Sequence, residues 1–146
     1  MSKDITRCFW ANPNNPQYLA YHDEEWGEPC HDERMLFEML ILEGFQAGLS
    51  WECVLNKREA FREAFDNFDV QKVARYDIVK LSSLADNPKI IRNKLKINAS
   101  IANANAFIKI QEELGSFDNY IWSFTNREVV YEPCDLRTTS HLSDTI

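Results

Sequence analysis

Glycine is scarce in this sequence, with 4 residues among 146, and only residues 128–131 (EVVY) form a compact β-branched and aromatic stretch. A β-sheet therefore has little to build on. No apolar run approaches the roughly 18 residues of a membrane helix. The N-terminus (MSKD) also lacks the basic and then apolar layout of a signal peptide. We expect a cytoplasmic protein without a membrane partner.

Paired cysteines and a surplus of basic residues are missing as well. The four cysteines include no CxxC pair, so in a reducing cytoplasm we expect thiols or metal ligands rather than disulfides. The formal net charge of −7 argues against a generally basic surface, because neutralised phosphates supply most non-specific affinity for nucleic acid.

Helical periodicity is what the sequence does contain, and it predicts one all-α domain over residues 1–146. Residues that commonly cap helix N-termini precede apolar patterns at Asp32, Ser50, Asp69 and Asp77. Gly115 is predicted to end a long helix. The helix after Asp32 is predicted to carry Met35, Leu36, Met39 and Leu40 on one apolar face.

The segment 42–51 (LEGFQAGLSW) is unusual because a carboxylate and two glycines lie between two strong helical patterns. By itself a plain inter-helix turn would explain it. It occurs together with residues 7–10 (RCFW), 21–27 (YHDEEWG), 90–97 (IIRNKLKI) and 122–124 (WSF). In this order the set resembles the type I 3-methyladenine DNA glycosylases of the helix-hairpin-helix glycosylase superfamily.

The resemblance implies an all-α fold with the helix-hairpin-helix at about residues 78–114. It also implies excision of methylated adenine from double-stranded DNA by hydrolysis of the N-glycosidic bond, as in base-excision repair. A base methylated at N3 is a cation and a good leaving group, so recognition of the extruded nucleotide can supply much of the catalysis. We expect a monomeric enzyme.

The resemblance assigns the base-reading carboxylate to Glu43 and the stacking rings to Tyr21, Trp51 and Trp10, where aromatic faces suit a cationic base. Without the resemblance, Glu43 would be interpreted as a surface residue at a helix end. The three aromatic residues could equally belong to the core.

The DNA contacts that the resemblance implies lie in two segments. Gly48 and Leu49 correspond to a wedge that fills the gap left by the extruded nucleotide, although Leu49 could instead be a core residue. Lys89, Arg92 and Lys94 belong to the hairpin that holds phosphates, in a basic cluster that also includes Lys96. The alternative is a solvated basic helix start. Lys89 stands where such hairpins commonly have glycine, which is expected to restrict the backbone.

A structural zinc ion is also implied by the resemblance. Cys8 and His22 match two of its four ligands, in an N-terminal segment of about residues 1–30. The family's other His and Cys belong to a C-terminal segment that we expect this chain to lack. Cys134 and His141 are weaker candidates for replacing them.

Two other functions remain compatible with the sequence. One is an inactive, truncated module that binds DNA or senses lesions, which would bind but not release a base. The other is a helical protein-interaction domain, which would show no salt-dependent DNA binding.

Overall fold

Residues 5–131 are described by a computed structural model of the chain, and they contain α-helices and no β-strand. The all-α prediction is confirmed. The helices are α1 (Pro16–Glu24), α2 (Glu33–Gln46), α3 (Trp51–Leu55), α4 (Arg58–Ala64), α5 (Val70–Val73), α6 (Ile78–Asp86), α7 (Lys94–Leu114) and α8 (Phe117–Ser123), with a short turn at Asp66–Phe68 between α4 and α5. None of these helices is both long enough and apolar enough to cross a membrane.

The helix boundaries follow local hydrogen-bonding chemistry. Each predicted cap accepts hydrogen bonds from backbone N–H groups of the turn that follows it, at Asp32, Ser50, Asp69 and Asp77. Gly115 ends α7 with a φ of 85°, a left-handed conformation that suits glycine. Helix α1 was not predicted, although Asn15 caps it and Pro16 is its first residue.

The core is rich in phenylalanine and lies among α2, α4, α5 and α7. Its largest fully buried side chains include Phe37, Phe45, Phe61, Phe65, Phe68 and Phe107. The apolar face predicted for α2 is not the face that the helix buries, because Leu40 is 38% exposed while Phe37, Ile41 and Leu42 are buried. Since α2 carries apolar residues on nearly every side, periodicity alone could not identify the inward face.

A buried ionic cluster joins α1, α2 and α4, and we call it the Glu38 cluster (Glu25, Arg34, Glu38, Arg58, Arg62). Glu38 is fully buried and accepts hydrogen bonds from all three arginines. Arg58 also pairs with Glu25 at 2.6 Å, just after the end of α1. The cluster therefore fixes the C-terminal end of α1 against the core helices.

Candidate active site

Three of the five motifs, residues 7–10, 21–27 and 42–51, meet at one cavity of about 220 Å³ between α1 and the C-terminal end of α2. Its walls are formed by Trp10, Tyr18, Tyr21, Trp26, Glu43, Gln46 and Trp51. Cavities of about 390, 350 and 240 Å³ elsewhere are larger. The first of these also combines carboxylates with phenylalanines, but its three phenylalanines are at most 1% exposed, and its acidic side chains already accept hydrogen bonds within the protein. The other two have at most one aromatic ring in their walls.

Glu43 supplies the acidic group of this cavity from the last turns of α2. The residue is open to solvent, but partial burial of its carboxyl raises its pKa above the ordinary glutamic-acid value. No arginine or lysine forms an ion pair with it among residues 5–131. A carboxylate in this setting favours a cationic ligand, because such a ligand supplies the missing opposite charge.

Tyr21 and Trp51 pack against each other at the cavity, with ring centroids 5.5 Å apart and planes inclined at 61°. Burial, with smaller contributions from Glu43 and Glu25, raises the pKa of the Tyr21 hydroxyl to about 12. The hydroxyl therefore remains a proton donor at neutral pH. Of the buried side-chain nitrogen and oxygen atoms in the described part of the chain, only Trp51 Nε1 has no hydrogen-bond partner. A ligand acceptor would relieve the cost of that buried donor.

Trp10 completes the aromatic wall together with two residues that sequence reasoning did not assign to the site. Its ring lies 5.3 Å from Tyr18 and 5.4 Å from Trp26, centroid to centroid. Tyr18 precedes Tyr21 by one helical turn of α1, and residues at that spacing share a helix face. That spacing was the available signal for Tyr18, whereas Trp26 belonged to a noted motif without an assigned role.

The segment that carries Trp10 is held against α3 by polar contacts. Glu52 accepts hydrogen bonds from the side-chain amides of Asn12 and Asn15, each at 2.8 Å. Arg7 pairs with Asp23 at 2.6 Å. These contacts connect the segment on either side of Trp10 to α1 and α3 and hold it at the cavity.

Residues 46–49 form a tight turn immediately after α2. The Leu49 N–H donates to the Gln46 carbonyl at 2.7 Å, with Ala47 at φ −50° and ψ 118° and Gly48 at φ 78°. These angles define a type II turn, which requires a positive φ at its third residue. Leu49 is 39% exposed at the end of this turn rather than in the core.

The predicted hairpin lies between α6 and α7, whose outer limits are residues 78 and 114. Ile90 is only 3% exposed and anchors the hairpin in the core. Lys89, Arg92 and Lys94 all project from its exposed surface. Asn93 caps α7 by accepting the Lys96 N–H, which leaves the start of α7 next to these cations.

Lys89 does not distort this hairpin. It is absent from the residues with positive φ, and its backbone N–H donates to the Asn87 side chain at 3.0 Å. The turn therefore adopts a conformation open to any L-residue, and the absence of glycine imposes no backbone strain.

Cys8 and His22 are neighbours, but the contact is made by the backbone of Cys8 and not by its thiol. The Cys8 backbone N–H donates to His22 Nε2 at 3.1 Å, and Asp23 contacts His22 Nδ1 at 2.9 Å. With Nε2 accepting from the Cys8 N–H and Nδ1 bonded to Asp23, neither ring nitrogen of His22 is free to bind a metal in this arrangement. Residues 5–131 also contain no group of three or more metal-ligating side chains, and two donors do not fit a four-coordinate zinc site. Cys134 and His141 lie outside the described residues.

Comparison with known proteins agrees with this geometry. The methyladenine glycosylase family model matches residues 10–146. The chain is 42% identical over 134 residues to a DNA-3-methyladenine glycosylase of Haemophilus influenzae, covering 91% of this chain and 72% of that protein. It is 45% identical over 124 residues to DNA-3-methyladenine glycosylase 1 of Escherichia coli, covering 85% of this chain and 66% of that protein.

A solved structure is similar as well. It is a tyrosine-to-phenylalanine variant of 3-methyladenine DNA glycosylase I in complex with 3-methyladenine, with a TM-score of 0.81 and 35% identity. The match covers 97% of this chain and 73% of that one. Fold and cavity thus define the class, an all-α DNA glycosylase. Within it, the chain belongs to the methyladenine glycosylase family, which confirms the resemblance seen in the motifs.

Proposed function

We propose that this chain releases 3-methyladenine from double-stranded DNA by hydrolysing the bond between the base and its sugar. The observation that carries the proposal is the cavity in which Glu43, a carboxylate with no cationic partner among residues 5–131, faces a wall of aromatic rings. The relatives and the similar structure named above act on or bind the same base.

The reaction does not require a strong general acid. The methylated base is already cationic, so the bond between C1′ and N9 breaks with its electron pair moving to the base, which departs neutral. A water oxygen forms the new bond to C1′ and releases its proton to solvent, leaving an abasic site. Glu43 would accept hydrogen bonds from the base and hold the extruded cationic nucleotide in the cavity, and Tyr21 and Trp51 would stack on it.

The surface beside the cavity supports a duplex as substrate. The turn at residues 46–49 presents the exposed Leu49 next to the cavity, where an apolar side chain can occupy the gap left by a flipped nucleotide. Lys89, Arg92 and Lys94 on the hairpin supply local positive charge for phosphates on an otherwise acidic chain.

The direct test is to incubate the chain with a duplex that contains 3-methyladenine and to identify the released base by chromatography. We expect stoichiometric release under single-turnover conditions and an abasic site in the DNA. Salt-dependent binding without release would instead identify a lesion-sensing module. Absence of DNA binding even at low salt would exclude both functions.

A further inference from the structure

Lys96 reaches from α7 to the end of α2. Its Nζ donates to the Phe45 carbonyl at 2.9 Å and to the Ala47 carbonyl at 2.6 Å. Phe45 belongs to the last turn of α2, and Ala47 is the second residue of the type II turn. One ammonium group therefore joins the helix end, the turn and the start of α7.

The charge of Lys96 is favourable at the C-terminal end of α2 and unfavourable at the N-terminal end of its own helix, α7. The last carbonyls of an α-helix lack intrahelical partners and carry partial negative charge, which a cation stabilises. No basic residue of α2 lies in its own last turn. In α7, by contrast, Lys96 occupies the first turn, where the helix dipole disfavours a cation. The bridge to α2 offsets that disfavoured placement.

Lys94, two residues earlier, provides the contrast. Its side chain is exposed and makes no side-chain hydrogen bond or ion pair within residues 5–131. It is thus placed for an external anion, whereas both donated hydrogen bonds of Lys96 are directed into the protein. The basic cluster seen in the sequence therefore divides into two kinds of residue.

We propose that Lys96 is a positioning residue that holds Glu43 and the Leu49 turn in register with the hairpin, an inference that rests on the proposed function. Glu43 lies on the last turns of α2, just before the first bridged carbonyl, and Leu49 closes the turn that contains the second. When the hairpin binds phosphates, the two hydrogen bonds of Lys96 fix the positions of Glu43 and Leu49 relative to the bound DNA.

The test compares Lys96→Met with Lys94→Met and with Lys109→Met, a control at an exposed site farther along α7. Release of 3-methyladenine is measured in single turnover at saturating DNA, and binding to intact duplex is measured against salt. Lys96→Met should slow release between about tenfold and about 10²-fold, as a small misplacement does, with an unchanged salt slope. Lys94→Met should lower the slope by about one, and Lys109→Met should change neither quantity.

Normal release by a folded Lys96→Met protein, or a salt slope lowered by about one, would overturn the inference and make Lys96 a phosphate contact. Thermal unfolding establishes that each variant is folded at the assay temperature. If Lys96→Met does not fold, the neutral Lys96→Gln, which keeps an N–H donor, replaces it with the same expectations.

The two proposals can fail separately. If the wild-type chain releases no 3-methyladenine, the proposed function fails. The Lys96 inference is then decided by the preference for abasic-site DNA over intact duplex, because the wedge is needed for that preference. Lys96→Met should lose the preference and Lys109→Met should keep it; retention by Lys96→Met would overturn the inference.

Discussion

Glu38 and Glu43 lie on the same helix, α2, in opposite electrostatic surroundings. Glu38 is fully buried, and although burial alone would raise its pKa, hydrogen bonds from Arg62 and Arg58 lower it overall. Glu43 borders the cavity with no arginine partner in the part of the chain that the structure describes, and burial raises its pKa. The negative charge of Glu38 is balanced by arginines within the protein, whereas the negative charge of Glu43 can pair with a cationic ligand. This difference separates a structural glutamate from one suited to bind a cationic base.

The largest effect is expected from Glu38→Gln. Removing this charge leaves Arg58, which is 7% exposed, with Glu25 alone, and breaking a buried ion pair typically costs about 3–5 kcal/mol. We expect a loss of stability near the lower end of that range, measured by denaturant unfolding at neutral pH. Because the folded-state pKa of Glu38 is lowered, its contribution is present above the ordinary glutamic-acid pKa and is lost as the pH falls.

Glu112→Gln on the exposed surface of α7 is the matched control, and its stability should stay within about 0.5 kcal/mol of wild type. Equal stability of Glu38→Gln and this control would remove the contrast between the two glutamates of α2.

The next effect concerns the turn beside Glu43. Leu49→Ala should weaken binding to abasic-site DNA by roughly tenfold, because an apolar side chain is lost from the vacant base position. Its melting temperature should change little, since Leu49 is 39% exposed. The fully buried Leu42, on the same helix as Glu43, gives the comparison. A destabilisation of about 2–5 kcal/mol by Leu49→Ala, as expected for Leu42→Ala, would assign Leu49 to the core.

The smallest effect is expected from metal removal. The described residues bring only Cys8 and His22 together, and other hydrogen bonds already hold the segment that carries Trp10. We predict that the chain binds zinc weakly and that a chelator leaves its melting temperature unchanged. Stoichiometric, tightly held zinc in metal analysis would contradict this and would direct attention to Cys134 and His141.

The parts of the fold that sequence reasoning predicted well are those fixed by local chemistry. Asp32, Asp69 and Asp77 cap helices because a side-chain oxygen reaches backbone N–H groups two or three residues away, a relation visible in the sequence. The inward face of α2 was not predictable in this way. It depends on which of several apolar sides meets α7, and that choice is made by tertiary packing.

The candidate site divides along the same line. Motif resemblance identified Glu43, Tyr21 and Trp51, which the structure brings to one cavity, while their chemical roles stay predictions. Tyr18 was missed although it precedes Tyr21 by one helical turn, and its contact with Trp10 forms only through folding. The contacts of Lys96 could not be predicted from the sequence, because its two carbonyl partners lie 49 and 51 residues away along the chain.

The central claim is that Glu43 reads the cationic base, and the most direct measurement is single-turnover release of 3-methyladenine by wild type and Glu43→Gln from about pH 5 to pH 8. At neutral pH the variant should be slower by about 10²–10³-fold, as when one preorganised electrostatic group is removed. At subsaturating protein, where the rate reports the free protein, the wild-type rate should fall toward acid because protonation removes the charge of Glu43, whose pKa is raised by burial. The variant should lack that dependence.

Stability distinguishes this loss from damage to the fold. Because the folded-state pKa of Glu43 is raised, its favourable contribution is present at acid pH and is lost as the pH rises. Glu43→Gln should therefore be no less stable than wild type at neutral pH. A stable Glu43→Gln protein with a slow, pH-independent rate is the result we predict. A stable variant that releases 3-methyladenine at the wild-type rate, with the same fall toward acid, would contradict the claim.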